Sequence, residues 1–189
     1  MTHTIFLILL LFSFSAQAAG SIKETVSNLK VVKLHYGINN FNIGKNTIVI
    51  TKAKILKGNA WDYDNYIAMR EKLNEWQIIQ NEKGEFLYIS IPHTGEDVVS
   101  SIYFMTPKND NKLRNLYLLT AIRKYKIHPL ESVAVEFSLF VMENSADDVF
   151  YFTLLKRTMS EKKYCNSDVA ISEELVIDSG DEVGYGGCY

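Results

Sequence analysis

Only three prolines and two cysteines occur among the 189 residues. Scarce proline disfavours long disordered linkers, and an ordinary globular composition with 12% aromatic residues argues the same way. There is no Cys-x-x-Cys, and no histidine lies near either cysteine in sequence, which disfavours a metal-bound or catalytic thiol. Basic residues form no cluster, and the formal net charge is −2, so nucleic acid is not an expected partner. Beyond the amino terminus no apolar run approaches membrane-spanning length. His-Glu-x-x-His, Gly-x-Ser-x-Gly and P-loop patterns are all missing.

At the amino terminus there is a clear signal. Ile5 to Phe12 is an apolar core too short to span a bilayer, and Ala16-Gln17-Ala18 follows in the A-x-A pattern of a cleavable signal peptide. The usual positive start is missing, because Met1 to Thr4 carry no Lys or Arg. A membrane anchor is the alternative, disfavoured by the short run and by the A-x-A that ends it. No cysteine follows for lipid attachment. Residues 1–18 therefore read as a leader and residues 19–189 as one β-rich domain, periplasmic or secreted, with no stable membrane anchor after cleavage. In an exported chain a lone pair of cysteines is usually a disulfide. Cys165 and Cys188 would close a loop of about 23 residues, worth about 3 kcal/mol in the chain-entropy model.

The strongest pattern lies between Ser132 and Arg157. Val133, Val135, Phe137, Leu139 and Val141 alternate, a polar break runs from Asn144 to Asp148, and Val149 to Leu155 form a second apolar run. This is a hairpin whose apolar rows need a cover. Upstream, Ser21 and Glu24 form a capping box for a short helix. Strands are expected over 29–36 and 47–56, the latter with Lys52 and Lys54 turned outward, around an Asn- and Gly-rich turn region over 37–46. Tyr66, Met69 and Leu73 at helical spacing, with Asp64 as N-cap, favour a helix over 62–73, with a strand as the alternative. Residues 76–80 and 86–91 read as a hairpin around Gly84, and Val98 to Met105 as a strand. The segment 113–125 fits helix and strand nearly equally, with a slight lean to helix. After Cys165 the chain is acidic, with Gly180, Gly184, Gly186 and Gly187 making the last residues loop-like. The fold class expected is mainly β, sandwich-like antiparallel sheets with one to three short helices, with α+β as the alternative.

Candidate site residues are few. Trp61, Asp62, Tyr63 and Tyr66 belong to the densest mixture of aromatics and acids, and large amphipathic rings make good contacts, although they are equally at home in a core. His93 and Asp97 bound a polar loop between two strands, where sites often sit. His35 and His128 complete the histidines beyond the leader and read as surface or loop residues. Asp62 and Asp64 could hold a divalent cation, but a solvated turn with a helix cap accounts for them and is preferred. The acidic stretch Asp178 to Glu182 lacks EF-hand spacing. Ser160-Glu161-Lys162-Lys163 matches the Ser-x-x-Lys of β-lactamases, yet no Lys-Thr-Gly or Ser-Asp-Asn accompanies it, so the match reads as chance. No catalytic residue, metal site or cofactor is assigned, and a non-enzyme is expected.

Gly95 to Phe104 and Tyr164 to Ala170, with the leader, resemble small periplasmic intrinsic-resistance proteins that accompany carbapenem biosynthesis, the CarG-like proteins. The resemblance implies a β-rich exported protein that protects its producer without hydrolysing the drug. The expected function is thus an exported, non-enzymatic binding or protection protein whose partner is a small toxic molecule. The alternative is an immunity protein or inhibitor of an exported protein toxin, which could meet a basic active site with the acidic tail.

Overall fold

The computed structural model describes residues 21–56, 62–84, 89–93, 98–109, 115–126 and 131–177, with 62 and 89–93 described by backbone alone. Residues 1–18, Trp61, Asp97, Cys188 and the glycine-rich tail fall outside these residues.

The chain opens with α1 (Ile22–Ser27), β1 (Leu29–Val31), β2 (Gly37–Ile43), β3 (Asn46–Ile55) and β4 (Asp62–Lys72). Then come β5 (Glu75–Ile78), β6 (Gln80–Asn81), β7 (Ile89–His93), β8 (Ser100–Pro107) and β9 (Tyr117–Arg123). The long hairpin β10 (Val133–Asn144) and β11 (Phe150–Tyr164) follows, and α2 (Ser167–Ala170) runs into one π-helical turn, Ile171–Leu175. A six-stranded sheet has the order β1-β8-β9-β10-β11-β6, antiparallel except for β6 on β11. The second sheet has the order β2-β3-β4-β5, with β7 also on β4.

Three layers result. The row Val135, Phe137 and Leu139 of the central hairpin is covered by Ile22 and Val26 of α1 and by Ala170, Ile171 and Leu175 of the carboxy-terminal helical turns. The opposite face of the same sheet, with Phe104, Leu118, Met142 and Phe152, packs on Phe41, Ile48, Ile50, Tyr66 and Ala68 of the second sheet. This double cover explains β9, where a helix was favoured. Leu119 and Ala121 enter one core and Leu116 and Leu118 the other, so no single apolar row marks the strand.

Four further expectations are corrected. Residues 62–73 form a strand and a turn, because the inward row is Asp64, Tyr66, Ala68 and Arg70, two of them charged, which hides the period of two. Asp64 is accordingly a buried strand residue and caps no helix. The turn region 37–46 is mostly β2, its buried row being Asn39, Phe41 and Ile43. The turn itself is Gly44-Lys45, with Gly44 at φ 62°, where hairpin turns favour glycine. The runs 76–80 and 86–91 do not pair with each other among the described residues. β5 and β7 lie on different stretches of β4, while β6 crosses to the first sheet. The capping box is borne out on one side, Ser21 Oγ accepting from Glu24 N–H at 3.1 Å.

Polar clasps tie the sheets together. Arg70 is buried on β4 and donates to Asp148 O at 2.7 Å, Asp148 Oδ2 at 3.0 Å and Asn46 Oδ1 at 2.6 Å. Its guanidinium lies 4.7 Å from the centroid of the Phe150 ring. Asp148, at φ 59° in the β10–β11 turn, also meets Lys72 Nζ at 3.0 Å. These cations hold its carboxyl down to about 2.

Candidate ligand cavity between the sheets

β1 starts in the first sheet, but its continuation leaves for the second. The β1–β8 ladder ends at Val31 opposite Met105, and one more bond joins Val32 N–H to Phe104 O at 2.8 Å. The chain then turns away, and His35 N–H is taken by Asn39 Oδ1 at 3.0 Å. Where the sheets part, a cavity of about 300 Å³ opens. Residues 31–34, Lys52, Asp64, Tyr66, residues 100–104 and Asp168 line it.

Its wall carries an ion pair between half-buried Lys52 and buried Asp64, set between the lining Tyr66 ring and the more exposed Tyr36 ring just outside the cavity. Lys52 Nζ lies 3.4 Å from Asp64 Oδ2, 4.7 Å from the centroid of Tyr36 and 5.7 Å from that of Tyr66. Tyr36 donates its hydroxyl to Asp64 Oδ1 at 2.9 Å. Although Tyr36 is 53% exposed, partial desolvation of its hydroxyl, then the Asp64 carboxylate beside it, pushes the phenol up to about 12, so it stays a donor across ordinary pH. The Tyr66 ring is 6.1 Å from that of Phe104, which anchors the wall in the inter-sheet core. On the other bank Tyr103 donates to Asp168 Oδ1 at 2.8 Å, and the Ser101 and Ser167 hydroxyls meet at 2.6 Å.

This arrangement can bind. An ammonium held by rings and one carboxylate offers charge and flat apolar surface together, in a space fit for a small organic ligand. Asp64 is committed to Lys52 and Tyr36, and among the described residues no cluster of three or more His, Cys, Asp or Glu could hold a metal ion. Ser160 of the Ser-x-x-Lys match accepts from Val135 N–H at 2.8 Å and donates to Lys162 O at 2.6 Å. Its hydroxyl thus serves the bulge where the β10–β11 register shifts.

The sequence-derived candidates are partly brought together. Tyr66 lines the cavity, and Tyr63 stands one residue from Asp64 with its side chain half-buried. Asp62 stands opposite His93 in the β4–β7 ladder, so the two candidate stretches meet as neighbouring strands. Trp61 and Asp97 lie outside the described residues. Lys52, Tyr36, Tyr103 and Asp168 were missed. Lys52 was expected to point outward, yet it shares the parity of the core residues Ile48 and Ile50, and that parity was the available signal.

A larger open groove of about 680 Å³ runs between α1, the π-helical turn and β11. Three of its charged side chains, Lys162, Glu173 and Glu174, are engaged within the chain. Lys162 Nζ meets Glu173 at 3.2 Å, and the Glu174 carboxylate accepts the N–H groups of Glu161 and Lys162 at 3.0 and 3.1 Å.

No protein-family model matches the chain, and no curated protein does. Among solved structures, the crystal structure of CarG superposes with a TM-score of 0.62 over 80% of this chain and 97% of that one, at 14% identity. The fold is CarG-like. At that identity the likeness concerns architecture.

Proposed function

We propose that this chain is an exported CarG-like binding protein that protects its cell against a small toxic molecule, a carbapenem by class, without catalysing a reaction. The observation that carries the reading is the shared fold with CarG over nearly the whole of that protein, for which the sequence resemblance implies carbapenem protection. The leader-like residues 1–18 and the placement of Cys165 support export and a Cys165–Cys188 disulfide: Cys165 is buried, and no free cysteine is found among the described residues. The cavity beside Lys52 and Tyr66 is the proposed site. Inhibition of a protein toxin through the acidic tail is less favoured, since Glu173 and Glu174 already bond within the chain.

Thermal unfolding with imipenem tests this reading. At a hundredfold excess over Kd, binding adds about 2.7 kcal/mol, which raises the Tm of a domain this size by about 5–10 °C. An unchanged Tm, or loss of the β-lactam absorbance on incubation, would refute it.

A further inference from the structure

The cavity borders an open strand edge of defined length. At one end Val32 bonds to Phe104 O, and at the other Ser167 donates both its N–H and its Oγ to Val98 O, at 3.0 and 3.1 Å. The continuous β8–β9 register puts odd-numbered backbone groups toward β9, as Val99 O accepting from Arg123 N–H at 2.9 Å shows. Ser100 and Ile102 therefore turn their N–H and C=O groups toward the opening, and no described residue bonds to them there. The span from Val98 to Phe104 is about 20 Å.

Charge adds a second constraint. Four charged residues line the space: Lys33, Lys52, Asp64 and Asp168. Lys52 and Asp64 pair with each other. Lys33 and Asp168 have no ion-pair partner among the described residues, and they are opposite in sign. Asp168 is held by the Tyr103 hydroxyl and by the α2 turn, so its carboxylate is fixed in place.

We propose that this opening takes a zwitterion with an amide between its charged ends. The amide adds to the β8 edge at Ser100 and Ile102, the ammonium meets Asp168 and the carboxylate meets Lys33, which is strand addition on a scale of two or three residues. This inference rests on the cavity being the binding site of the protective function, and it deepens that reading. A short peptide offers all of these groups; a zwitterionic carbapenem such as imipenem shares the two charged ends and a carbonyl acceptor, but its lactam nitrogen has no hydrogen to donate.

Isothermal titration of the full chain with Ala-Ala-Ala and with imipenem separates the two sources. Three probes remove one feature each: N-acetyl-Ala-Ala-Ala, Ala-Ala-Ala carboxamide with a free amino terminus, and Ala-Ala-Ala N-methylated at the nitrogen of its central residue. Each should bind about tenfold or more weakly than Ala-Ala-Ala, as the loss of a charge-assisted or backbone bond implies. Asp168→Asn, which keeps an acceptor for Tyr103, should abolish the penalty for acetylation, and Lys33→Gln the penalty for the carboxamide. Blocked peptides that bind as well as the free one overturn the proposal, and so does absence of binding by both free probes. Binding of imipenem alone, weakened about tenfold or more by each variant, supports the two charged contacts and overturns the amide contact at the β8 edge. Imipenem affinity unchanged in both variants overturns the zwitterion assignment while leaving the protective reading standing. Tripeptide binding with no imipenem binding does the reverse.

Discussion

Replacing Asp64 by Asn tests the inner wall of the cavity most sharply. The substitution keeps an acceptor for the Tyr36 hydroxyl but removes the counter-ion of Lys52. Removing one partner of a buried pair costs about 3–5 kcal/mol. The Lys52 side chain is 20% exposed and retains two rings, so part of that cost is relieved by turning toward water and by cation–π attraction. A loss of about 2 kcal/mol is expected, which with a urea dependence of about 2 kcal/mol per molar lowers the unfolding midpoint by about 1 M. The Tyr36 phenol should fall from about 12 but stay above 10, because burial, the larger cause, is untouched. Tyrosinate absorbance, read as the difference from a Tyr36→Phe variant, follows that change. Adding Lys52→Met should recover part of the lost stability, with a coupling of about 1 kcal/mol or more. A midpoint change worth less than about 0.5 kcal/mol, the range of ordinary surface substitutions, would refute the ion pair as described.

Other consequences follow from single features. Leu73 is 89% exposed and sits at φ 53° in the two-residue β4–β5 turn, so Leu73→Gly should raise stability by about 1 kcal/mol in the same urea assay. Asp148 has a folded pKa lowered to about 2, below its unfolded value of about 4; its contribution is therefore fully present above pH 4 and lost as pH falls toward 2. Acid unfolding of Asp148→Asn should be less steep than wild type in that window. Tyr36 works in the other direction: its raised pKa gives stability that is complete below pH 10 and fades toward pH 12, a loss that Tyr36→Phe should lack. Cys165→Ala should lower stability by about 3 kcal/mol if a loop of about 23 residues is closed, and should abolish the effect of reductant on the wild-type midpoint.

The sequence made the periodic strands legible and hid those whose periodicity was masked. β3 and the β10–β11 hairpin carry plain apolar alternation and were placed, although β11 runs on to Tyr164 through residues with no apolar row. β4 was misread because half its buried row is Asp64 and Arg70, each stabilised by partners far along the chain, Lys52 and Asp148. Such long-range pairing cannot be seen in a local window. β9 was misread because both its faces are buried, a consequence of sheet order rather than of its own residues. The cavity was half legible. Tyr66 was selected for its aromatic-acidic setting, whereas Asp168 enters only because α2 folds back on the end of β8.

Equilibrium dialysis of imipenem against the intact protein, with the mass of the recovered drug measured, tests the central claim most directly. A cavity-filled variant, Ser100→Phe, is run beside wild type. Wild type should retain the drug and return it with its mass unchanged, while the filled variant should retain none. Drug recovered heavier by one water, or equal retention by both proteins, would contradict a non-catalytic site between the sheets.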